Sequence, residues 1–374
     1  MRCAAQEEAS MQVGYNATFQ NPGRELSDTE MYREEIRLAR MVEGLGFDTI
    51  WTTEHHFSGY QSCPDTLQFL SYMAGASETL KLGSGCVVLP WHNPLRVAEQ
   101  IIALDHQSSG RVVLGLARGA SADEFAGFNV DMNVTRPMFI EYAEAVLSAL
   151  ETGYFEYDGQ FLKQKRVKLR PDPLKSFKGR AFCGSVSPES MEINARLGLG
   201  VLITPSKPWD AVHREMADYH QHFRKYHGAE PVPTMANAWI FCDKSADRAY
   251  ELGSQYLKAY WQTVLDHYGF NKPEKFAGKK GYEHYAKGAE EQAKMKADDI
   301  ASAFMEMHVY GTPEQCYEKI LNIRNKVACN AFTGVFRYAG MPYEEAERNL
   351  RLFAGEVMPE LKKLPEPKSF GALT

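Results

Sequence analysis

The residues from Gly110 to Phe128, GRVVLGLARGASADEFAGF, indicate the fold class of this chain. Its residues 112–117 form an almost continuous apolar run of strand length, as in a strand that is buried on both faces of a parallel sheet. Arg118 and Gly119 follow at once, so a cation and a flexible backbone position stand where the strand meets solvent. Proteins with parallel sheets bind ligands at such strand ends, and an arginine fork can hold two phosphate oxygens. The stretch predicts either a phosphate site at Arg118 or a strand end with a solvated arginine.

Length and composition limit what surrounds this strand. A chain of 374 residues suits one large α/β barrel or two ordinary domains. The net charge of -6 is dispersed, which argues against nucleic acid as a partner. There is no apolar run of membrane-spanning length and no signal-peptide core in the first ten residues, so we expect a cytoplasmic protein with no membrane partner. The seven cysteines include no Cys-x-x-Cys pair, which favours neither a disulfide framework nor a zinc site.

Short apolar segments alternate with amphipathic helical segments along the whole chain. The predicted strands are 12–16, 47–51, 80–89, 112–117, 180–183, 200–203, 234–241 and 331–336. The predicted helices are 28–45, 65–77, 94–106, 136–150, 188–197, 208–226, 246–261, 312–326 and 343–361. Eight strands that are each followed by a helix predict a (β/α)8 TIM barrel, and no linker divides the chain, so we expect a single domain over 1–374.

Two segments interrupt the alternation. Residues 153–170 predict a hairpin after the fourth helix, turning at Asp158-Gly159. After the seventh strand, a polar and glycine-containing stretch at about 262–300 has no clear apolar period and indicates a long, mobile insertion. Long loops are usually functional or disordered, so this one is interpreted either as a lid over the active site or as a surface excursion on the outer helices.

The second strand ends in Glu54, His55 and His56, which are candidates for proton transfer near neutral pH. Two adjacent histidines are also possible metal ligands. Because the sequence shows no third ligand at matching spacing, we expect no metal. For His56, a buried ring that only satisfies backbone carbonyls remains an alternative.

The fifth strand leads into a helix that begins Ser185-Val-Ser187-Pro-Glu-Ser190. Proline fits the first helical position with Ser187 as the N-cap, and free amides at a helix start bind phosphate. The pattern is typical of an ordinary helix cap, but together with Arg118 it predicts a phosphate clamp.

Several motifs taken together resemble the bacterial luciferase-like family of flavin-dependent monooxygenases, and the luciferase α subunit in particular. They are FDTIW at 47–51 with EHHF at 54–57, VVLP at 87–90, LARG at 116–119, DMN at 131–133, GTPEQC at 311–316 and VMP at 357–359. The similarity extends over about 11–364. It implies a barrel that binds reduced FMN and reacts it with O2, through a 4a-(hydro)peroxyflavin, to oxygenate a small apolar organic substrate. It also implies a separate NAD(P)H flavin reductase and a dimer, either a homodimer or a luciferase-like pair.

The resemblance also implies roles for single residues. His55 matches the catalytic histidine, Arg118 the phosphate arginine and Ser185 a phosphate serine, with Ser187 or Ser190 in place of a missing threonine. Glu124 stands where luciferase has an aspartate near the flavin. Relatives carry a non-proline cis peptide beneath the flavin ring, expected here at Gly85-Cys86. The candidate catalytic residues are His55, Glu54 and Glu124, and the candidate cofactor-binding residues are Gly85, Cys86, Ala117, Arg118, Gly119, Ala120, Ser185, Ser187 and Ser190.

Three departures from luciferase alter the expected pocket. Ala117 replaces its reactive cysteine, Ser121 an aromatic residue, and Pro205 lies near its flavin-site tryptophan. They argue against a light-emitting enzyme for long-chain aldehydes. Two other functions stay open at this point: hydride transfer with a flavin or deazaflavin, and a non-catalytic flavin-binding partner subunit.

Overall fold

The computed structural model describes residues 10–184, 187–367 and 370. Its strands are β1 Gln12–Ala17, β2 Thr49–Thr52, β3 Lys81–Ser84, β4 Val87–Val88, β5 Val112–Ala117, β6 Tyr154–Asp158, β7 Lys163–Lys168, β8 Ala181–Gly184, β9 Gly200–Ile203, β10 Thr234–Cys242, β11 Val309–Gly311 and β12 Cys329–Val335. Eight of them pair in parallel in the order β1, β2, β3, β5, β8, β9, β10, β12, and β12 pairs with β1 again. The predicted (β/α)8 barrel is therefore confirmed.

The helices run around the barrel and beyond its strand ends. They are α1 Asp28–Met41, α2 Thr66–Ala76, α3 Pro94–Gln107, α4 Ala122–Gly127, α5 Thr135–Thr152, α6 Pro188–Arg196, α7 Trp209–His227, α8 Ala246–Tyr268, α9 Glu283–Gln292, α10 Ala297–Glu306, α11 Pro313–Val327, α12 Tyr343–Leu352 and α13 Met358–Leu361. Capping boxes start two of them, at Ser27 with Glu30 and at Thr312 with Gln315, which satisfies free amides at each helix start. None of the described helices is both long and apolar enough to cross a membrane.

Two differences from the predicted boundaries affect the candidate site. The single strand predicted over 80–89 is broken into β3 and β4, because the Gly85-Cys86 peptide between them is cis, as the resemblance implied. The helix predicted to end near Trp261 continues to Tyr268, where Gly269 closes it in a left-handed conformation. This extra length brings the end of α8 to the mouth of the barrel, by which we mean the end where the strands have their carboxyl termini.

The hairpin and the insertion both lie outside the barrel sheet. β6 and β7 pair antiparallel as a separate two-stranded sheet, at the place of the expected hairpin. The insertion is largely helical, although the sequence showed no apolar period there. The period is missing because α9 buries only Ala289, and α10 buries only Phe304 and Met305. Such narrow apolar faces leave little periodic signal.

The interior of the barrel is filled by one apolar layer. Its members are Trp51, Val113, Phe182, Leu202 and Met235, one from each of five strands. A Cβ atom at Gly83 would overlap the indole of Trp51, so this close approach requires glycine. The layer closes the barrel below its mouth, and the candidate site is built above it.

Candidate active site

The candidate catalytic residues come from three separate elements that meet at the mouth. His55 follows β2, Glu124 lies on α4 just after β5, and His267 and Tyr268 end α8. All four side chains are buried or partly buried here. The barrel thus brings together residues that are up to 213 positions apart in the chain.

Glu124 lies at the centre of this cluster. Its Oε1 atom is 3.1 Å from Nδ1 of His55 and accepts a 2.8 Å hydrogen bond from the backbone N–H of His56. Its Oε2 atom is 3.4 Å from Nε2 of His267. On the far side of His55, Nε2 lies 3.2 Å from the hydroxyl of Tyr268. The carboxylate therefore orients the imidazole of His55 and leaves its other nitrogen facing a hydroxyl.

Burial and hydrogen bonding set the charges of the cluster. Burial alone would raise the pKa of Glu124, but attraction to His55 and hydrogen bonds from His267 and His55 outweigh it and lower that pKa to about 2. Burial lowers the pKa of His267, which favours its neutral ring. Burial, with Tyr60 and Glu124 nearby, raises the pKa of Tyr268 well above its usual value, so its hydroxyl keeps its proton. The cluster therefore joins an ionised carboxylate to a neutral imidazole and a protonated phenol.

Aromatic rings enclose the cluster. His267 stacks on Tyr60 with ring centroids 4.5 Å apart, and its Nδ1 atom lies 3.0 Å from Oγ of Ser58. The hydroxyls of Tyr60 and Tyr260 are 2.6 Å apart. These contacts hold His267 in place and keep bulk water away from Glu124.

His55, Glu124 and His267 also form a group of potential metal ligands within the described part of the chain. The ligand atoms of His55, Glu124 and His267 all lie within 4.8 Å of one another. The sequence showed no third ligand for His55 because His267 lies in a distant segment. In the arrangement found here, the 3.1 Å and 3.4 Å separations of the two imidazoles from Glu124 are also hydrogen-bonding distances.

Glu54, the remaining candidate catalytic residue, is engaged within the protein. Its Oε1 atom lies 3.1 Å from Nε2 of His56 and 2.6 Å from Nε2 of His92, and its Oε2 atom accepts a 2.9 Å hydrogen bond from Val88 N–H. Burial would raise the pKa of Glu54, but the hydrogen bonds from His56 and His92 outweigh it and lower that pKa. Glu54 thus ties the loop after β2 to β4, which follows the cis peptide.

A second set of residues suits an anion. Nη1 of Arg118 is buried and has no hydrogen-bond partner among the described residues, while its guanidinium lies 4.0 Å from the ring centroid of Tyr282. A Cβ atom on Gly281 would lie 2.7 Å from that Nη1 and 3.0 Å from Nε of Arg136. Two guanidinium groups therefore converge on one point, and an anion there would offset their repulsion.

The start of α6 carries Ser187 and Ser190, two of the serines predicted to bind phosphate. Ser187 occupies the N-cap position as predicted, but its hydroxyl pairs with that of Ser190, 2.8 Å away, and not with a helix amide. Ser185 lies outside the described residues. Arg136 reaches toward this helix, with Nη2 3.8 Å from Glu189.

The backbone candidates lie where β3, β4 and β5 approach the mouth. Gly85 lines a cavity in the barrel, whereas Cys86 is buried, and burial raises the pKa of its thiol to about 12, so the thiol stays neutral. Ala117 pairs with Val88, and Gly119 has a positive φ that turns the chain after Arg118. Ala120 follows, partly exposed.

The insertion covers this region. The hydroxyl of Tyr282 lies 3.0 Å from Oγ1 of Thr135 and donates to the carbonyl of Gly119 at 3.2 Å. Nζ of Lys275 is 2.8 Å from the carboxylate of Asp123, next to Glu124. Contact with strand-end residues argues against a surface excursion that packs on the outer helices. Mobility of the insertion stays a prediction.

Sequence reasoning missed Arg136 and His267, whereas Tyr268 and Tyr282 were expected as aromatic residues of an insertion that closes over the pocket. His267 ends α8, which carried no pattern that tied it to a strand end. Arg136 stood in a predicted helix, where an arginine is ordinarily a solvated surface residue. The aromatic residues of the insertion were the only sequence feature that indicated a contact with the site.

The barrel and the side chains at its mouth define an enzyme whose site is formed by loops after the strands. The model of the family described as luciferase-like monooxygenase matches residues 11–328, and the chain belongs to this family. Among named relatives, the alkanal monooxygenase alpha chain of Photorhabdus luminescens is 25% identical over 352 residues, which cover 92% of this chain and 95% of that protein.

Two solved structures share the fold. The monooxygenase RslO1 from Streptomyces bottropensis has a TM-score of 0.79 at 24% identity, covering 94% of this chain and 99% of that one. The oxygenating constituent of 3,6-diketocamphane monooxygenase from Pseudomonas putida, solved in complex with FMN, has a TM-score of 0.71 at 18% identity, covering 96% and 100%. At these identities the likeness is one of fold.

Proposed function

We propose that this enzyme is the oxygenase of a two-component, flavin-dependent monooxygenase. It would receive reduced FMN from a separate NAD(P)H flavin reductase and use O2 to oxygenate a small, mainly apolar organic substrate. The observation that carries the proposal is the buried Nη1 of Arg118 without a hydrogen-bond partner, which follows β5, together with the His55–Glu124 pair at the same end of a barrel of the luciferase-like family. When bound, reduced flavin supplies the activation of dioxygen.

Arg118 and Arg136 would hold the FMN phosphate. The Nη1 atom of Arg118, which has no hydrogen-bond partner among the described residues, and Nε of Arg136, 3.0 Å from the same point, would supply charge-assisted donors, while Nη2 of Arg136 is held by the carbonyl of Gly281 and lies 3.8 Å from Glu189. Gly281 leaves this point open, because a side chain there would fill it. Ser187 and Ser190 stand at the start of α6 as further hydroxyl donors.

His55 would hold or move a proton at Nε2. Since Glu124 is ionised, Nδ1 of His55 carries the hydrogen that points at Oε1, and Nε2 faces the hydroxyl of Tyr268. Tyr268 keeps its proton and can donate a hydrogen bond to Nε2. Glu54 would act indirectly, by positioning other residues. Its two oxygens already orient His56, His92 and the chain after the cis peptide.

The insertion would exclude water. Tyr282, Phe276 and Phe270 form a cluster with Phe125 of α4, so that closure of the segment covers Arg118 and Glu124 with aromatic surface. A dry site favours oxygen transfer to the substrate over release of hydrogen peroxide.

Anaerobic mixing of the protein with reduced FMN, followed by exposure to O2, tests the proposal. We expect a flavin absorbance species distinct from both reduced and oxidised free FMN, and slower return to oxidised FMN than in buffer. Incorporation of ¹⁸O from ¹⁸O2 into product identifies oxygenation. Rapid reoxidation as in free solution, together with hydride transfer to or from a bound flavin or deazaflavin without isotope incorporation, would contradict the proposal.

A further inference from the structure

Tyr60 contacts both histidines that flank Glu124. Its ring stacks on His267 and lies edge-on to His55, with ring centroids 4.5 Å and 4.9 Å apart. The titratable groups that face His55 are thus Glu124 on α4, His267 and Tyr268 on α8, and Tyr60 on its own loop. A change at Tyr60 therefore reaches both imidazoles.

Three phenol hydroxyls lead from His55 into the protein. The hydroxyl of Tyr268 lies 3.2 Å from Nε2 of His55. The ring of Tyr268 is 5.6 Å from that of Tyr60, whose hydroxyl lies 2.6 Å from the hydroxyl of Tyr260. Burial raises the pKa of Tyr60, and hydrogen bonds from Tyr260 and Tyr268 act to lower it. We call Tyr268, Tyr60 and Tyr260 the hydroxyl chain.

The hydroxyl chain is enclosed and keeps its hydrogens. Tyr260 is buried, and its ring packs 4.4 Å from that of Trp239 on β10. Burial raises the pKa of all three phenols, which therefore stay protonated at neutral pH. A hydroxyl has one hydrogen and can donate to only one neighbour at a time. Because a buried hydrogen without an acceptor is unfavourable, we expect the hydroxyls to point along the chain in one direction.

The residues at the two ends of the chain set this direction. At one end, Glu124 is ionised and only accepts, so Nδ1 of His55 donates to it. At the other end, burial raises the pKa of Tyr260 while a hydrogen bond from Gln61 acts to lower it, as a donor does. Oε1 of Gln61 is buried without a hydrogen-bond partner among the described residues, so the amide nitrogen is the atom that serves Tyr260. A donor at Gln61 directs each hydroxyl toward His55, where Nε2 accepts.

Gln61 can also serve the opposite direction, because its amide carries a donor and an acceptor side by side. A half-turn of the amide would present Oε1 to Tyr260, and each hydroxyl would then donate away from His55. Nε2 of His55 would in that case carry a hydrogen of its own. The unpaired Oε1 is thus the acceptor that the reversed chain needs.

We propose that Tyr60 and Tyr260 are positioning residues that connect Gln61 to the site. Through them, the orientation of one buried amide determines whether Nε2 of His55 accepts or donates a hydrogen bond. No hydrogen leaves the chain when it reverses, and the only proton added is the one that His55 takes up. The inference rests on the proposed function for the role of His55, but the position of the hydrogen can be measured without flavin.

Gln61→Glu tests the connection, because an ionised carboxylate accepts and cannot donate. The full chain is labelled with ¹⁵N-histidine and studied by NMR without flavin, at one pH at which wild-type His55 shows both forms. The signals of His55 are identified by their loss in His55→Gln. We expect the ratio of hydrogen-bearing to free Nε2 to rise roughly tenfold over wild type, the scale of one hydrogen bond.

Gln61→Met should change the ratio in the opposite direction. Methionine is close to glutamine in size, but it offers Tyr260 neither an N–H donor nor a strong acceptor. The reversed chain would then end in a buried hydrogen without an acceptor, which disfavours a hydrogen on Nε2. We expect a several-fold fall in the ratio. This variant introduces no buried charge, so it tests the inference even if Gln61→Glu does not fold.

Tyr260→Phe removes one hydroxyl of the chain and keeps the ring in its packing. In this background both substitutions at Gln61 should lose most of their effect, because the chain is interrupted while any direct field from position 61 remains. Tyr338→Phe is the matched control. Its ring also lies 6.0 Å from that of Tyr260, but its hydroxyl donates to the carbonyl of Ile240 outside the chain. There the effects should persist.

Two results would overturn the inference. One is an unchanged ratio in the folded Gln61 variants, and the other is an equal change with and without the Tyr260 hydroxyl. A purely structural role of Tyr260 would alter stability but would not abolish opposite shifts caused by two residues at position 61. These measurements involve neither flavin nor oxygen, so failure of the proposed monooxygenase reaction would be seen separately.

Discussion

Oε1 of Glu124 lies 3.1 Å from Nδ1 of His55 and accepts a hydrogen bond from the backbone N–H of His56. One carboxylate oxygen therefore fixes both the ring of His55 and the loop that carries it. Because the loop follows β2 and Glu124 lies on α4, this contact also ties two strand ends together. We predict that proton transfer at His55 depends on this single oxygen.

Glu124→Gln is expected to slow oxygenation and to increase peroxide release. Glutamine keeps the shape but removes the charge that orients and stabilises the imidazole, and misplaced acid–base groups cost about 10²-fold or more in rate. Product formed per flavin oxidised, with peroxide assayed in parallel, measures the effect. Glu99→Gln, an ion-paired carboxylate on α3, is the control. Wild-type coupling in Glu124→Gln would show that the carboxylate is dispensable.

Arg118→Ala should weaken FMN binding by roughly 1.5–3 kcal/mol, the range for hydrogen bonds to charged groups. Riboflavin lacks the phosphate and should bind almost as it does to wild type. Arg166→Ala is a matched control, since that guanidinium also lies 4.0 Å from a tyrosine centroid, but in the hairpin. Equal losses for FMN and riboflavin would show that Arg118 does not contact the phosphate.

We predict that the insertion is an active-site lid, and Tyr282→Phe should loosen it. The change removes hydrogen bonds to Thr135 and Gly119, each worth about 0.5–1.5 kcal/mol. Limited proteolysis should cleave 269–298 several-fold faster in the variant, and reduced FMN under anaerobic conditions should slow cleavage in wild type. Tyr226→Phe, which loses only a surface bond to Glu192, is the control. Cleavage that is insensitive to reduced FMN would contradict the lid.

His308→Asn should flatten the dependence of stability on pH. Burial lowers the pKa of His308 to about 3, so below its ordinary value of about 6.5 the unfolded chain binds a proton that the folded chain does not. The folded state is therefore penalised as the pH falls from 6.5 toward 3. Between pH 6.5 and 5.5 this amounts to at most about 1.4 kcal/mol.

Urea unfolding of wild type and His308→Asn at pH 7.5 and 5.5 measures this difference. Asparagine can keep an acceptor near the position of Nδ1, which lies 3.5 Å from the backbone nitrogen of Trp239. The free energy of unfolding should fall less in the variant between the two pH values. An identical fall in both proteins would mean that His308 is not buried in its neutral form.

The barrel could be predicted because its strands have a simple signal. Residues 112–117 are apolar on both faces, and seven similar runs alternate with helices, so the count alone determined the architecture. The break at Gly85-Cys86 left no such trace, since Val87 and Val88 continue the apolar run. Only the resemblance to relatives implied it.

The site was predictable where its residues directly follow a strand. His55 and Arg118 each come within three residues of a strand end, and the structure places them at the mouth. His267 and Tyr268 do not directly follow a strand, because α8 carries them from the end of β10 to a loop that follows β2. Their position depends on how a 23-residue helix packs, and one sequence gives no information on that contact.

The place of Trp51 in the barrel implies a rule of co-variation. Its indole occupies the room that a Cβ on Gly83 would need, and it also lies 3.2 Å from the Cβ position of Gly14. In a homologue, a side chain at Gly83 would be compatible with this packing only if residue 51 were smaller, whereas a side chain at Gly14 would first meet the hydroxyls of Thr49 and Thr333. Replacement of tryptophan at position 51 would in turn deepen the barrel cavity and relax selection on Gly83. Positions 51 and 83 should therefore change together among relatives, and the depth of the barrel cavity should change with them.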